Sequence, residues 1–197
     1  MAQAKEGTIE YKKKKQQCFF INYNFPPEAV ENALMGKLTR MGYKGKEEKG
    51  MFNKDKGFIV FKDANVPEVS DQTLDYVIKV ERKSRKDKDE TTLYLLLNKG
   101  GSDAIETLDS YSVGKAKSFL NNLLPEIEEA NLELQIRDQD EVVVKSEKKF
   151  KDLQDEKTDL EKKLKKNQEN LENQQKLIEN QRSALDGLKG KRRVPAN

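Results

Sequence analysis

The chain contains no histidine and a single cysteine, Cys18. Without imidazole there is no histidine base, no histidine metal ligand and no Ser-His-Asp arrangement. One thiol makes neither an intramolecular disulfide nor a cysteine zinc site. As a nucleophile Cys18 would need an activating base or a positive field, and its place in a strand-like run predicts burial instead. Apolar residues are scarce as well, at 35% of the chain against 37% charged, where globular proteins have roughly 45–50% and about 25%. No run approaches ~18 consecutive apolar residues, so no membrane span is expected. Glycine and proline are both missing from the 61 residues between Glu126 and Asp186. That absence removes every strong helix breaker from a third of the protein.

The motifs present exclude more than they assign. Gly45 and Gly50 have the spacing of a phosphate loop, but "GKEEKGMF" lacks the Lys-Ser/Thr pair and puts two glutamates where phosphates would bind. The acidic runs "KDKDE" (86–90) and "RDQDE" (137–141) lack the central glycine and distant glutamate of a calcium loop, and read as a solvated turn and a helix face. No serine sits in a nucleophile elbow. We nominate no catalytic, cofactor-binding or metal-ligating residue and expect no cofactor. The net charge of +3 is small, with 20 Lys/Arg against 15 Asp/Glu in residues 1–99 and 18 against 20 in 100–197. Basic segments occur at Lys12–Lys15, Arg82–Lys88 and Lys189–Arg193. A single-stranded nucleic-acid groove needs basic side chains with exposed aromatics, and here the aromatics fall where a small core needs them. Nucleic acid is therefore the disfavoured partner. Ala2-Gln3-Ala4 has the small-x-small pattern of a signal-peptidase site, which suits an exported, periplasmic or envelope protein; a cytoplasmic protein with an ordinary N-terminus is the alternative.

Alternation and turn residues outline a small domain. Phe19, Ile21, Tyr23 and Phe25 share one strand face, and Cys18, Phe20 and Asn22 the other. Pro26-Pro27 ends that strand and opens a helix over 28–41, with Val30, Leu34, Leu38 and Met41 at helical spacing and Gly42 as its stop. Strands are expected near 57–62, 73–83 and 91–99, the last two joined as a hairpin by "SRKDKDE". Gly100-Gly101 then leads to helix, with Ser102 and Asp103 as candidate N-caps. Val113, Ala116, Leu120, Leu123, Ile127, Ala130 and Leu134 form a second packing stripe that Pro125 should kink or split. The fold class is α+β: a β-α-β-β-β antiparallel sheet packed by helices, then a long C-terminal helix. The boundaries read as a flexible segment 1–7, a domain 8–135, a coiled-coil-like stalk 136–188 and a basic tail 189–197.

With Phe150 at a, heptads run through the stalk without a break. The apolar seam is Val143, Phe150, Leu153, Leu160, Leu164, Leu171, Ile178, Leu185 and Leu188, and Asn167, Gln174 and Gln181 make polar d layers. Knobs at a and d gain stability only against a partner helix, and polar layers trade stability for register. Over 132–145 a β-hairpin competes, because Leu132, Leu134 and Ile136 alternate and Val142–Val144 favour strand; the unbroken register favours helix. Glu147–Lys151, Asp159–Lys163, Glu161–Lys165 and Glu172–Lys176 are spaced for intrahelical ion pairs. The expected function is non-enzymatic: oligomerisation or partner-protein binding through this helix. A nucleic-acid module and a small-ligand domain, the latter needing a pocket between sheet and helix 28–41, are the alternatives.

Overall fold

A computed structural model describes residues 3–48, 57–83 and 89–191. Ala2, Gly50, Phe52, the turn at 84–88 and the tail at 192–197, all used above, lie outside the described residues. Two compact units divide the chain, Met1–Asp138 and Gln139–Asn197.

The first unit is an antiparallel sheet with helices on one face. Its strands are β1 (Lys5–Tyr11), β2 (Lys14–Tyr23), β3 (Lys46–Glu47), β4 (Phe58–Ala64), β5 (Leu74–Arg82), β6 (Thr91–Lys99) and β7 (Ser102–Asp103). The spatial order is β1-β2-β6-β5-β4-β3, with β7 paired to the end of β6. The helices are α1 (Pro27–Arg40), α2 (Ser110–Asn121) and α3 (Leu124–Gly190). The α+β layer, the antiparallel sheet and the long final helix are those the sequence predicts.

Three strands exceed the expected set. Residues 5–7, read as part of a flexible end, belong to β1, which pairs with β2 from Lys5↔Phe20 to Tyr11↔Lys14. Lys12 and Lys13 are the two-residue turn between them, and both have positive φ, 49° and 62°. Left-handed backbone at both central residues is that of a type I′ hairpin turn. Lysine pairs are not the usual choice there, so the turn carries no Asn-Gly or Asp-Gly signal. The basic segment Lys12–Lys15 is thus a turn followed by the start of β2. Ser102 and Asp103 form a strand instead of a helix cap. Asp103 accepts from Gln17 N at 2.7 Å and from Ile105 N at 2.9 Å, tying β2 to the chain after β6. Helix α2 is capped six residues after Asp103, where Asp109 accepts from Ser112 N at 2.8 Å.

Helix α1 ends as its sequence directs. Gly42 N donates to Thr39 O and Tyr43 N to Leu38 O, with Gly42 at φ 91°; these are the two bonds of a Schellman close. Met41 is the cap and stays exposed, so the buried stripe of α1 is Ala29, Val30, Ala33, Leu34 and Leu38. The second packing stripe divides at Asn122-Leu123, and Pro125 falls in the first turn of α3, where its missing N–H costs nothing. The stretch 132–145 is helical throughout.

Strand alternation separates two cores. Phe19, Ile21, Tyr23, Ile59, Phe61, Tyr76, Ile78, Leu93, Leu95 and Leu97 face α1, α2 and the start of α3. The opposite face holds a smaller cluster of Tyr11, Cys18, Phe58, Val60, Val77 and Leu96. Among the described residues, no helix contributes to that cluster. Pairing of β2 with β6 begins at Phe19↔Leu95, so residues 14–18 continue with β1 alone and bring Tyr11 to 4.8 Å from Phe58.

Candidate interaction surface

Along α3, Val143, Phe150, Leu153, Leu160, Leu164, Leu171, Ile178, Leu185 and Leu188 are each 41–67% exposed in the single chain. Consecutive members lie three, four or seven residues apart, at heptad a and d positions, which places them on one side of the helix. The polar positions Asn167, Gln174 and Gln181 share that side and are also exposed. Helix α3 therefore brings every seam residue onto one face, and that face is exposed. Its intrahelical ion pairs differ from those the spacing suggests. Among the described residues they are Arg137–Asp138 at 3.3 Å, Glu141–Lys145 at 3.4 Å, Lys157–Glu161 at 3.8 Å and Asp159–Lys162 at 3.6 Å. Lysine side chains reach several acids at i±3 and i±4, and the exposed choices differ little in energy. Ser146 and Thr158 return their hydroxyls to the carbonyls of Val142 and Gln154, at 2.8 and 3.0 Å.

The first unit holds two polar arrangements that the sequence does not announce. Lys37, nearly buried, reaches Glu68 at 2.9 Å and Glu126 at 3.1 Å, and its ammonium lies 5.2 Å from the centre of the Phe119 ring. One cation on α1 thereby ties together the β4–β5 loop, α2 and α3. Burial opposes its charge, yet the hydrogen bonds to Glu68 and Glu126 outweigh burial and hold the pKa above the ordinary value. At the hairpin tip, Glu48 accepts from Tyr11 Oη at 3.2 Å and pairs with Lys12 Nζ at 3.1 Å. Burial pushes the Glu48 carboxyl up, but Lys12 and Tyr11 together bring it below its ordinary range. Both arrangements join segments distant in sequence, and spacing cannot signal such pairs.

Neither arrangement resembles a reaction centre. Cys18 is fully buried in the second cluster, and burial, with Asp103 nearby, pushes its thiol up to about 11. Tyr23, buried against α2, donates to Leu120 O, and its pKa is raised by burial and by the charge of Glu126. The interface between the sheet and α1 is filled by Leu34, Leu38, Phe61 and Ile78. The open space near α1 lies on its other side: a cleft of about 470 Å³ against the first turns of α3, lined by Arg40, Glu126, Glu129, Glu133 and Arg137 among others. Gly45 also finds its reason in packing: a Cβ there would stand 2.8 Å from both Ile59 and Phe61. Among the described residues, no helix is long and apolar enough to cross a membrane.

Comparison with protein-family models, with curated proteins and with solved structures gives no match.

Proposed function

We propose that this chain is a non-enzymatic structural or interaction protein: an α+β domain joined to a helix that serves self-association or partner-protein binding. The observation that carries the reading is the row of nine large apolar side chains along α3, all exposed. Scattered exposed apolar residues need no explanation, but a stripe at heptad spacing is the surface a second helix buries. The long absence of glycine and proline keeps that stripe in phase.

Light scattering on the full chain is the test. We expect a mass above that of one 22.7 kDa chain at micromolar concentration, and a return to one chain in the double variant Leu164→Asp/Leu171→Asp. Both substitutions lie outside the α+β unit, so its circular dichroism and thermal transition should survive. A single-chain mass for the unaltered protein at every concentration tested would remove self-association.

A further inference from the structure

We propose that the helix Gln139–Gly190 pairs with a second copy of itself in antiparallel orientation, Val143 facing Leu188 of the other chain. The inference rests on the self-association reading above and names its partner, direction and register. In a parallel pair, like positions face each other. Lys157 at a would then meet its own copy inside the seam, and Asn167, Gln174 and Gln181 would each make a purely polar layer. Glu156 at g would face Glu161 at e, the one charged g–e contact the sequence offers, and it is repulsive.

Reversing one helix changes each of these contacts. Every a residue now faces a d residue, and e faces e while g faces g. With Val143 set against Leu188, the successive layers are Val143–Leu188, Phe150–Gln181, Lys157–Gln174, Leu164–Asn167, Leu171–Leu160, Ile178–Leu153 and Leu185–Ser146, each occurring twice by symmetry. Six of these seven layers contain at least one large apolar side chain, and Lys157 meets an amide rather than a cation. The flanking charges become complementary: Asp140 at e faces Lys189 of the second copy, and Glu147 faces its Arg182. No like charges oppose each other at e or g in this register.

Neighbouring registers are worse. A slip of one heptad in one direction sets Lys149 against Lys191 of the second copy. A slip in the other sets Glu161 against Glu161 and Lys163 against Lys163. Repulsion of this kind discriminates between arrangements even where each exposed pair contributes little. The overlap from 143 to 188 spans 46 residues of continuous helix, about 70 Å at ~1.5 Å per residue, long enough for a stable two-stranded interface.

Disulfide trapping in the full chain decides the orientation. Lys157→Cys and Gln174→Cys alter a layer that is already polar, and native Cys18 is buried within the α+β unit. Chains carrying one substitution each, one of them with a size tag, are mixed, exchanged through mild denaturant and oxidised. Antiparallel pairing yields the mixed 157–174 disulfide and little of either self-crosslink, since each position lies about 25 Å along the axis from its own copy. Crosslinks of 157 to 157 and 174 to 174 would overturn the antiparallel arrangement while leaving self-association standing. A single-chain mass would overturn both, and a mass of three or more chains would overturn the pairing scheme. Charge exchange gives a second readout at low salt. Glu147→Arg or Arg182→Glu alone should weaken association about five- to tenfold, and the two together should restore it. In a parallel pair Glu147 and Arg182 face Val142 and Leu177, so no restoration would follow.

Discussion

Gly45 stands where Met35, Ile59 and Phe61 converge, with no space for a methyl group. Phe61 is fully buried, so Gly45→Ala forces a core side chain to move. We expect a loss of about 1–3 kcal/mol, read from urea unfolding. The sequence offers this glycine as half of a phosphate-loop spacing, and the packing reason emerges only when α1 and β4 are brought together. Cys18 is the opposite case, because its strand context already predicts burial. With the thiol pushed from 9.0 to about 11, the thiolate fraction at pH 8 falls roughly 100-fold. A chromogenic disulfide reagent should titrate no thiol in the native protein within minutes and one thiol after denaturation. Prompt native reaction would mean that the second cluster opens readily.

Among the elements, those with strong periodicity or clear punctuation are legible and the short ones are not. Helix α1 announces itself by Pro27 at its start, Gly42 at its end and three buried residues at helical spacing. The β5–β6 hairpin does so by two β-rich runs around a polar turn. Strand β1 is hidden because its turn, Lys12-Lys13, uses residues that gain nothing from a left-handed backbone, and β3 and β7 are two residues each. What holds the β1–β2 tip down is also tertiary: Tyr11 on Phe58, and Glu48 on Lys12 and Tyr11. Glu48 has a lowered folded-state pKa, so its contribution is full above its ordinary 4.5 and is lost as the pH falls through the lower folded value. Glu48→Gln should cost under about 1 kcal/mol at pH 7, since Lys12 is largely exposed. That difference should shrink as the pH falls below 4.5 in paired urea titrations. The Lys37 clamp is more buried, and Lys37→Met should destabilise the domain by about 1–2 kcal/mol, detectable as a lower thermal midpoint. Its raised pKa adds that this contribution is present below 10.5 and lost as the pH rises through the folded value.

For the whole molecule, the proposed self-association would tie helix stability to concentration. Helical signal from the second unit should melt at a higher temperature as protein concentration rises, while the β-rich unit melts independently of it. Two transitions that both ignore concentration would argue against pairing in solution. The sequence by itself determined the α+β class, the antiparallel hairpin, α1 and the unbroken α3 with its seam. Each of these rests on local periodicity or on the placement of proline and glycine, which act within a few residues. Only the tertiary structure decided that β1 completes the sheet, that a second cluster forms on the opposite sheet face, and that Lys37 and Glu48 bind distant segments. Those features depend on pairings between residues far apart along the chain, and such pairings leave no periodic trace in it.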